Sequence, residues 1–241
     1  MSEPEAQIIA IGGGGFSEGN SLALDAWVLG RARRDSPRVA FVGTASGDAQ
    51  TYLDKFYAAF EKLGAVPAHL PFFRRTPDLR SFVVEQDVIY VGGGNSRSML
   101  AVWREWGLPE LLREAARGGT VLAGISAGAI CWFEQGVTDS GAAGLESVDC
   151  LGLLPGSCCP HYDGEAERRP RYHAMLAEGR IAPGIAIDDE AAVHFQGGRA
   201  RHVLSAKSGA SAYRMQTTGG EVSEGRVDAE HLDVSQLDPG T

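Results

Sequence analysis

Thr120-Val-Leu-Ala-Gly-Ile-Ser-Ala-Gly-Ala-Ile-Cys-Trp132 is the stretch on which the fold turns. Thr120 to Ala123 read as a short apolar strand. Gly124-Ile125-Ser126-Ala127-Gly128 has G-x-S-x-G spacing, and Ala129 to Glu134 read as the start of a helix. A strand that turns sharply into a helix with serine at the apex is a nucleophile elbow. The apex backbone is strained, and bulky neighbours would collide with the strand and helix on either side. The amides at the helix start and its positive dipole end suit a developing oxyanion. The plainer reading is a strand-to-helix turn in which Gly, Ala and Ser merely pack closely; the strand upstream and the helix downstream are the context that favours the elbow.

Upstream of this stretch, strands and helices alternate. Gln7 to Ile11 is an apolar run ending in Gly12-Gly-Gly-Gly-Phe16, and Asn20 to Arg34 carries apolar residues at helical spacing. Val39 to Val42 reads as a second strand, Asp48 to Leu63 as an amphipathic helix stopped by Gly64, and Val66 to Leu70 as a third strand. Asp87 to Val91 is a fourth strand and runs into Gly92-Gly-Gly-Asn-Ser96; helices follow from Ser98 to Trp106 and from Pro109 to Arg117. This alternation predicts a parallel sheet covered on both faces, with ligands bound outside the carboxyl ends of its strands. The glycine turns at 12–15, 92–94 and 124–128 should share that edge. Beyond the elbow the pattern is less regular. Thr138 to Gly141 reads as a polar turn, His161 to Pro170 as a charged loop, and Arg171 to Glu178 as a helix. Ile181 to Ile187, Ala191 to Phe195, Arg201 to Leu204 and Ser211 to Met215 read as an antiparallel tail. The expectation is one three-layer α/β domain over 1–241, with its core at about 7–216 and a loose tail from about 217.

Composition narrows the function classes. The formal charge is −9, with 31 acidic against 22 basic residues, which argues against a general nucleic-acid binder. No apolar run approaches the length of a membrane span. The beginning, Met1-Ser-Glu-Pro-Glu-Ala, has no basic and apolar leader. Cys131, Cys150, Cys158 and Cys159 form neither a CxxC pair nor a zinc-finger spacing, so they read as reduced thiols of a cytoplasmic protein. No ligand cluster calls for a metal or other cofactor.

A nucleophilic serine needs a base. Of His69, His161, His173, His194, His202 and His231, His161 stands out because it follows Pro160 and opens a polar loop. The carboxylate that would fix its tautomer is Asp139, Asp163, Asp188 or Asp189 on sequence position. Gly92-Gly-Gly-Asn95 offers backbone amides for the other half of an oxyanion hole and a close approach to a ligand.

Gly92-Gly-Gly-Asn95, the Gly124 to Ala129 elbow and Pro160-His161, in that order and spacing, resemble the dipeptidase E and cyanophycinase family of serine peptidases over roughly residues 7 to 205. The resemblance implies a class I glutamine amidotransferase-like (flavodoxin-like) three-layer sandwich with a mostly parallel sheet. It implies Ser126 as nucleophile and His161 as base, with Gly93 and Ala127 amides as the oxyanion hole. By the position of the family's relay acid it implies Asp139, with Asp189 in reserve. Cleavage next to acidic residues in that family implies dipeptides with an N-terminal Asp as substrates, Arg168 as the guanidinium that clamps the acid, and Asn95 in the substrate site. The partner expected is thus a small peptide, with a homodimer as an additional expectation. A catalytically silent ligand-binding domain and an amidase or esterase of different range are the competing readings.

Overall fold

The computed structural model describes residues 5–19 and 21–232. In chain order the elements are β1 (Gln7–Ile11), α1 (Gly15–Glu18), α2 (Ala23–Leu29), β2 (Arg38–Val42), α3 (Gln50–Lys62), β3 (Val66–His69), α4 (Leu79–Val84), β4 (Val88–Val91), α5 (Ser96–Trp106), α6 (Leu108–Gly118) and β5 (Val121–Ile125). Then follow α7 (Ala127–Ile130), β6 (Phe133–Gly141), β7 (Gly144–Asp149), β8 (Leu154–Cys159), α8 (Arg168–Ala177), β9 (Gly184–Ile187), β10 (Ala191–Gln196), β11 (Arg199–Ser205), β12 (Ala212–Thr218), β13 (Glu221–Val227) and β14 (Glu230–His231).

The main sheet has the order β14-β11-β10-β1-β5-β4-β2-β3. Its middle is parallel: β1 pairs with β5, β5 with β4, β4 with β2, and β2 with β3. The antiparallel extension is β10 and β11, laid against β1. Because side chains alternate along a strand, each central strand feeds two cores. Ile9, Ile11, Val39, Phe41, Val88, Tyr90, Ala123 and Ile125 meet Phe16, Leu24, Phe56 and Phe60 from α1, α2 and α3. Ile8, Ala10, Ala40, Val42, Ile89, Val91 and Leu122 meet Met99, Trp103, Leu112 and Ile130 from α5, α6 and α7. These are the three layers the alternation predicted.

Three expectations are corrected. Residues 129–134 are not the body of a helix. α7 is a single turn, and β6 starts at Phe133 because Trp132, Phe133 and Val137 are drawn into the core. The tail strands do not simply extend the parallel sheet either. β13-β12-β9-β8-β6-β7 form a second sheet of six strands, with α8 packed on it through Tyr172, Met175 and Leu176. The third concerns the tail expected to be loose from about 217. Residues 217–227 belong to the β12–β13 hairpin, where Met215 is buried opposite Glu224, while 233–241 lie outside the described residues. No helix among the described residues is long and apolar enough to cross a membrane.

Candidate active site

β1, β5 and β4 are neighbours and run parallel, so their carboxyl ends deliver the turns after Ile11, Ile125 and Val91 to one edge. At the middle turn the backbone of Ser126 sits at φ 57 and ψ −114, and its N–H donates to the Ile11 carbonyl at 3.1 Å. The glycines of the motif make this geometry attainable. A Cβ on Gly124 would lie 2.2 Å from the Gly128 carbonyl oxygen, and a Cβ on Gly128 would lie 2.2 Å from that of Val91. The turn is therefore closed against itself and against β4. Ser126 caps α7, and its own carbonyl accepts the Ala129 and Ile130 N–H groups. The Ala127 amide belongs to the first turn, where the helix offers no acceptor of its own.

Strain is concentrated here. Among the described residues the non-glycine positions at positive φ are Asp48, Ser126, His161 and Glu190. Two of the four are the predicted nucleophile and base, and another, Glu190, follows Asp189. Such conformations cost about 1–3 kcal/mol each and collect where surrounding structure holds a functional group in place.

His161 follows β8 and half-buries its ring. Its Nδ1 is 2.7 Å from Asp189 Oδ1, with the side chains 17% and 24% exposed. That length is typical of a charge-assisted bond. Asp189 in turn is fixed by its backbone, which donates to Asp163 Oδ1 at 2.8 Å. Gly13, at the end of β1, backs the pair: a Cβ there would stand 1.9 Å from Asp189 Oδ1 and 2.7 Å from His161 Nδ1. The turn after β1 thus touches the His161–Asp189 pair, and the next strand's turn carries Ser126.

The consecutive acids 188–190 divide by direction. Asp188 turns into the second sheet, where Ser211 N–H and Tyr213 hydroxyl donate to its Oδ2, and burial raises its pKa to about 6. Asp189 faces His161. Glu190 is buried beneath the Gly12–Gly15 turn, its backbone N–H donating to Gly13 O.

Asp139 is the correction. It does not meet His161. It lies on β6 with its side chain 64% exposed, 4.0 Å from Arg168. β6 leaves the elbow at once as an extended strand, and extension carries residue 139 away from the sheet edge where a helix would have kept it close. Arg168 is likewise displaced from the expected role. It is 3% exposed, and its guanidinium donates to Glu165 at 2.7 Å and to the Val137 carbonyl at 3.2 Å, tying the start of α8 to β6. Asn95 is the N-cap of α5: its Oδ1 accepts the Ser98 N–H at 2.8 Å, and Nδ2 reaches the Ser140 carbonyl at 3.4 Å. Gly93 is where the motif put it, since a Cβ on it would be 3.2 Å from Ser126 Cβ.

Three of the other histidines and Cys131 are otherwise engaged. His173 binds Glu224, His69 binds Tyr57, and His194 is buried on Gln7 and Trp27. Cys131 is fully buried with Sγ on the Gly128 carbonyl, and burial pushes its thiol well above the usual range, which disfavours the thiolate a nucleophile needs. Sequence reasoning missed Gly13 as the backing of the base and Tyr52, whose hydroxyl accepts the Gly93 N–H at 3.3 Å. Gly13 was visible only as one of four consecutive glycines. Nothing in the amphipathic pattern of α3 marks out Tyr52.

The chain resembles known proteins in sequence and in fold. The model of peptidase family S51 matches residues 8–203. The chain is 52% identical over 228 residues to the uncharacterized peptidase YgaJ of Bacillus subtilis strain 168, covering 94% of this chain and 99% of that one. It is 31% identical to peptidase E of Streptomyces coelicolor over 216 residues, covering 85% and 86%. Among solved structures, a peptidase from an acI-B1 Actinobacterium superposes with a TM-score of 0.70 at 17% identity, covering 94% and 96%. The fold is thus the class I glutamine amidotransferase-like sandwich that the motif order implied.

Proposed function

Since the chain belongs to peptidase family S51, we propose that it is a serine-type peptidase of small peptides, working through Ser126, His161 and Asp189. The observation that carries the reading is the 2.7 Å bond between His161 and Asp189 on the sheet edge that also holds Ser126 in a strained elbow. His161 accepts the Ser126 hydroxyl proton through Nε2, because Nδ1 is occupied by Asp189. Ser126 Oγ attacks the scissile carbonyl, and the oxyanion is met by the N–H groups of Ala127 and Gly93. His161 then protonates the leaving amine, and water hydrolyses the acyl-enzyme by the same route in reverse order.

Dipeptides with an N-terminal Asp are the first substrates to try. That preference is what the resemblance to the dipeptidase E family implies. Arg168 does not supply it, because its guanidinium is spent on Glu165 and Val137. The test is hydrolysis of Asp-Leu, Glu-Leu, Ala-Leu and β-aspartyl-arginine by the wild type and by Ser126→Ala. Cleavage of Asp-Leu by the wild type alone supports the reading. Faster turnover of glutamine or a simple ester than of any dipeptide would replace it with an amidase or esterase. Failure on every substrate by a folded wild type would favour a silent binding domain.

A further inference from the structure

The glycine turn that faces Ser126 is held by a side chain of α3. Tyr52 packs its ring on this turn, so that a Cβ on Gly92 would come 3.0 Å from its Cε1, and its hydroxyl oxygen accepts the Gly93 N–H. The ring itself has little freedom. It is stacked on Phe16 at 5.5 Å and set edge-on to Phe41 at 5.0 Å. Burial raises the phenol to about 12, so it stays neutral at any working pH. Ser17, just past the Gly12–Gly15 turn, donates its hydroxyl to the Gly14 carbonyl at 2.7 Å. Because Phe16 directly follows the Gly12–Gly15 turn, the stacked Tyr52 ring lies between that turn and the one that faces Ser126.

We propose that Tyr52 is a positioning residue of the oxyanion hole, which holds the Gly93 amide in the empty site and yields it to the substrate oxygen as charge develops there. The proposal rests on the serine-peptidase reading above. Three consecutive glycines give a chain with the widest choice of backbone angles, and an amide plane among them needs an external anchor. A rigid phenol supplies one. The 3.3 Å separation is at the long end for an N–H···O bond, so little is forfeited when the amide turns to a better acceptor. A charged oxyanion is that acceptor, since bonds to ionised groups are about twice as strong as those to neutral ones. Tyr52 also lines, with Ser17, Thr51 and Lys55, a cavity of about 250 Å³.

Tyr52→Phe removes the hydroxyl and keeps the ring against Phe16, Phe41 and Gly92. Complete loss of one oxyanion donor costs about 10²–10³-fold in kcat. An amide that is present but unanchored should cost less, about 10-fold in kcat with KM within about twofold. The rate at which a diphenyl phosphonate labels Ser126 should fall by a similar factor, because that adduct uses the same hole. A purely structural role would lower Tm and leave the kcat-to-KM split and the labelling rate alone. Wild type that is labelled, with Tyr52→Phe labelled equally fast, overturns this inference and leaves the serine-peptidase reading standing. A labelling rate or kcat that rises in Tyr52→Phe also overturns it, since the phenol would then be a competitor for the amide. Wild type that resists the phosphonate and cleaves no peptide overturns both.

Discussion

Replacing Asp189 by Asn tests it against Asp139, the relay acid that the family resemblance put first. The change keeps volume and leaves the Asp189 backbone bond to Asp163 in place. It removes one negative charge, 2.7 Å from His161 Nδ1, from a pair whose side chains are only 17% and 24% exposed. The imidazolium formed when His161 takes the serine proton then loses its counter-charge. At an effective dielectric constant of about 20, two unit charges about 4 Å apart interact by about 4 kcal/mol. At about 1.4 kcal/mol per decade this is a drop of roughly 10³-fold in kcat. KM should change little, because in the proposed mechanism Asp189 acts through His161 and not on the substrate. Asp139→Asn is the paired control. Its carboxylate is 64% exposed and 4.0 Å from Arg168, so kcat should stay within about twofold. The assay is steady-state hydrolysis of the best dipeptide by both variants, with circular dichroism to show that each is folded. A large loss in Asp139→Asn with near-normal Asp189→Asn would refute the assignment of Asp189.

Other outcomes follow from the same geometry. Gly13→Ala should lower kcat by at least about 100-fold, since its Cβ would enter the space of Asp189 Oδ1 and His161 Nδ1; retained activity in a folded variant would show that the pair can shift freely. Arg168→Met should lower stability by about 1–3 kcal/mol in urea unfolding, through the unpaired Val137 carbonyl, while leaving KM for Asp-Leu within about twofold; a large rise in KM would return the arginine to the substrate site. His194 is buried, with its pKa lowered to about 4 by burial and by nearby His202 and Arg31. Folding therefore opposes its protonation, so its contribution is complete above the unfolded pKa of about 6.5 and is lost as pH falls towards 4, about 3 kcal/mol in all. His194→Gln should shrink the fall in Tm between about pH 7 and about pH 4.5, and an unchanged fall would place the acid sensitivity elsewhere.

Much of the fold was legible because its signals are local. Alternating apolar runs and glycine turns mark β1, β2, β4 and β5 with their helices, and these strands carry the edge on which Ser126 lies. The elbow was readable because Gly124 and Gly128 have close backbone neighbours that exclude any side chain. What was illegible depends on contacts distant in sequence. The second sheet joins β6 to β8 and β8 to β9 in parallel across long connections, so no turn dipeptide announces it. The partner of His161 lies 28 residues away, and the position of Asp139 after the elbow was a weaker guide than the place of Asp189 at a strand end. The arginine-rich segment 168–171 looked like an anion clamp, yet backbone carbonyls on β6 and β7 use Arg168 and Arg171. Such acceptors cannot be seen from the charge pattern of the segment alone.

The central claim is that Ser126 is the nucleophile, and covalent trapping tests it most directly. The protein is incubated with a diphenyl phosphonate and digested, and the modified peptide is sequenced by tandem mass spectrometry. The account predicts one adduct per chain, on Ser126, absent from Ser126→Ala and strongly slowed in Asp189→Asn. An adduct on Cys131 or another residue, or hydrolysis of Asp-Leu undiminished in Ser126→Ala, would contradict it.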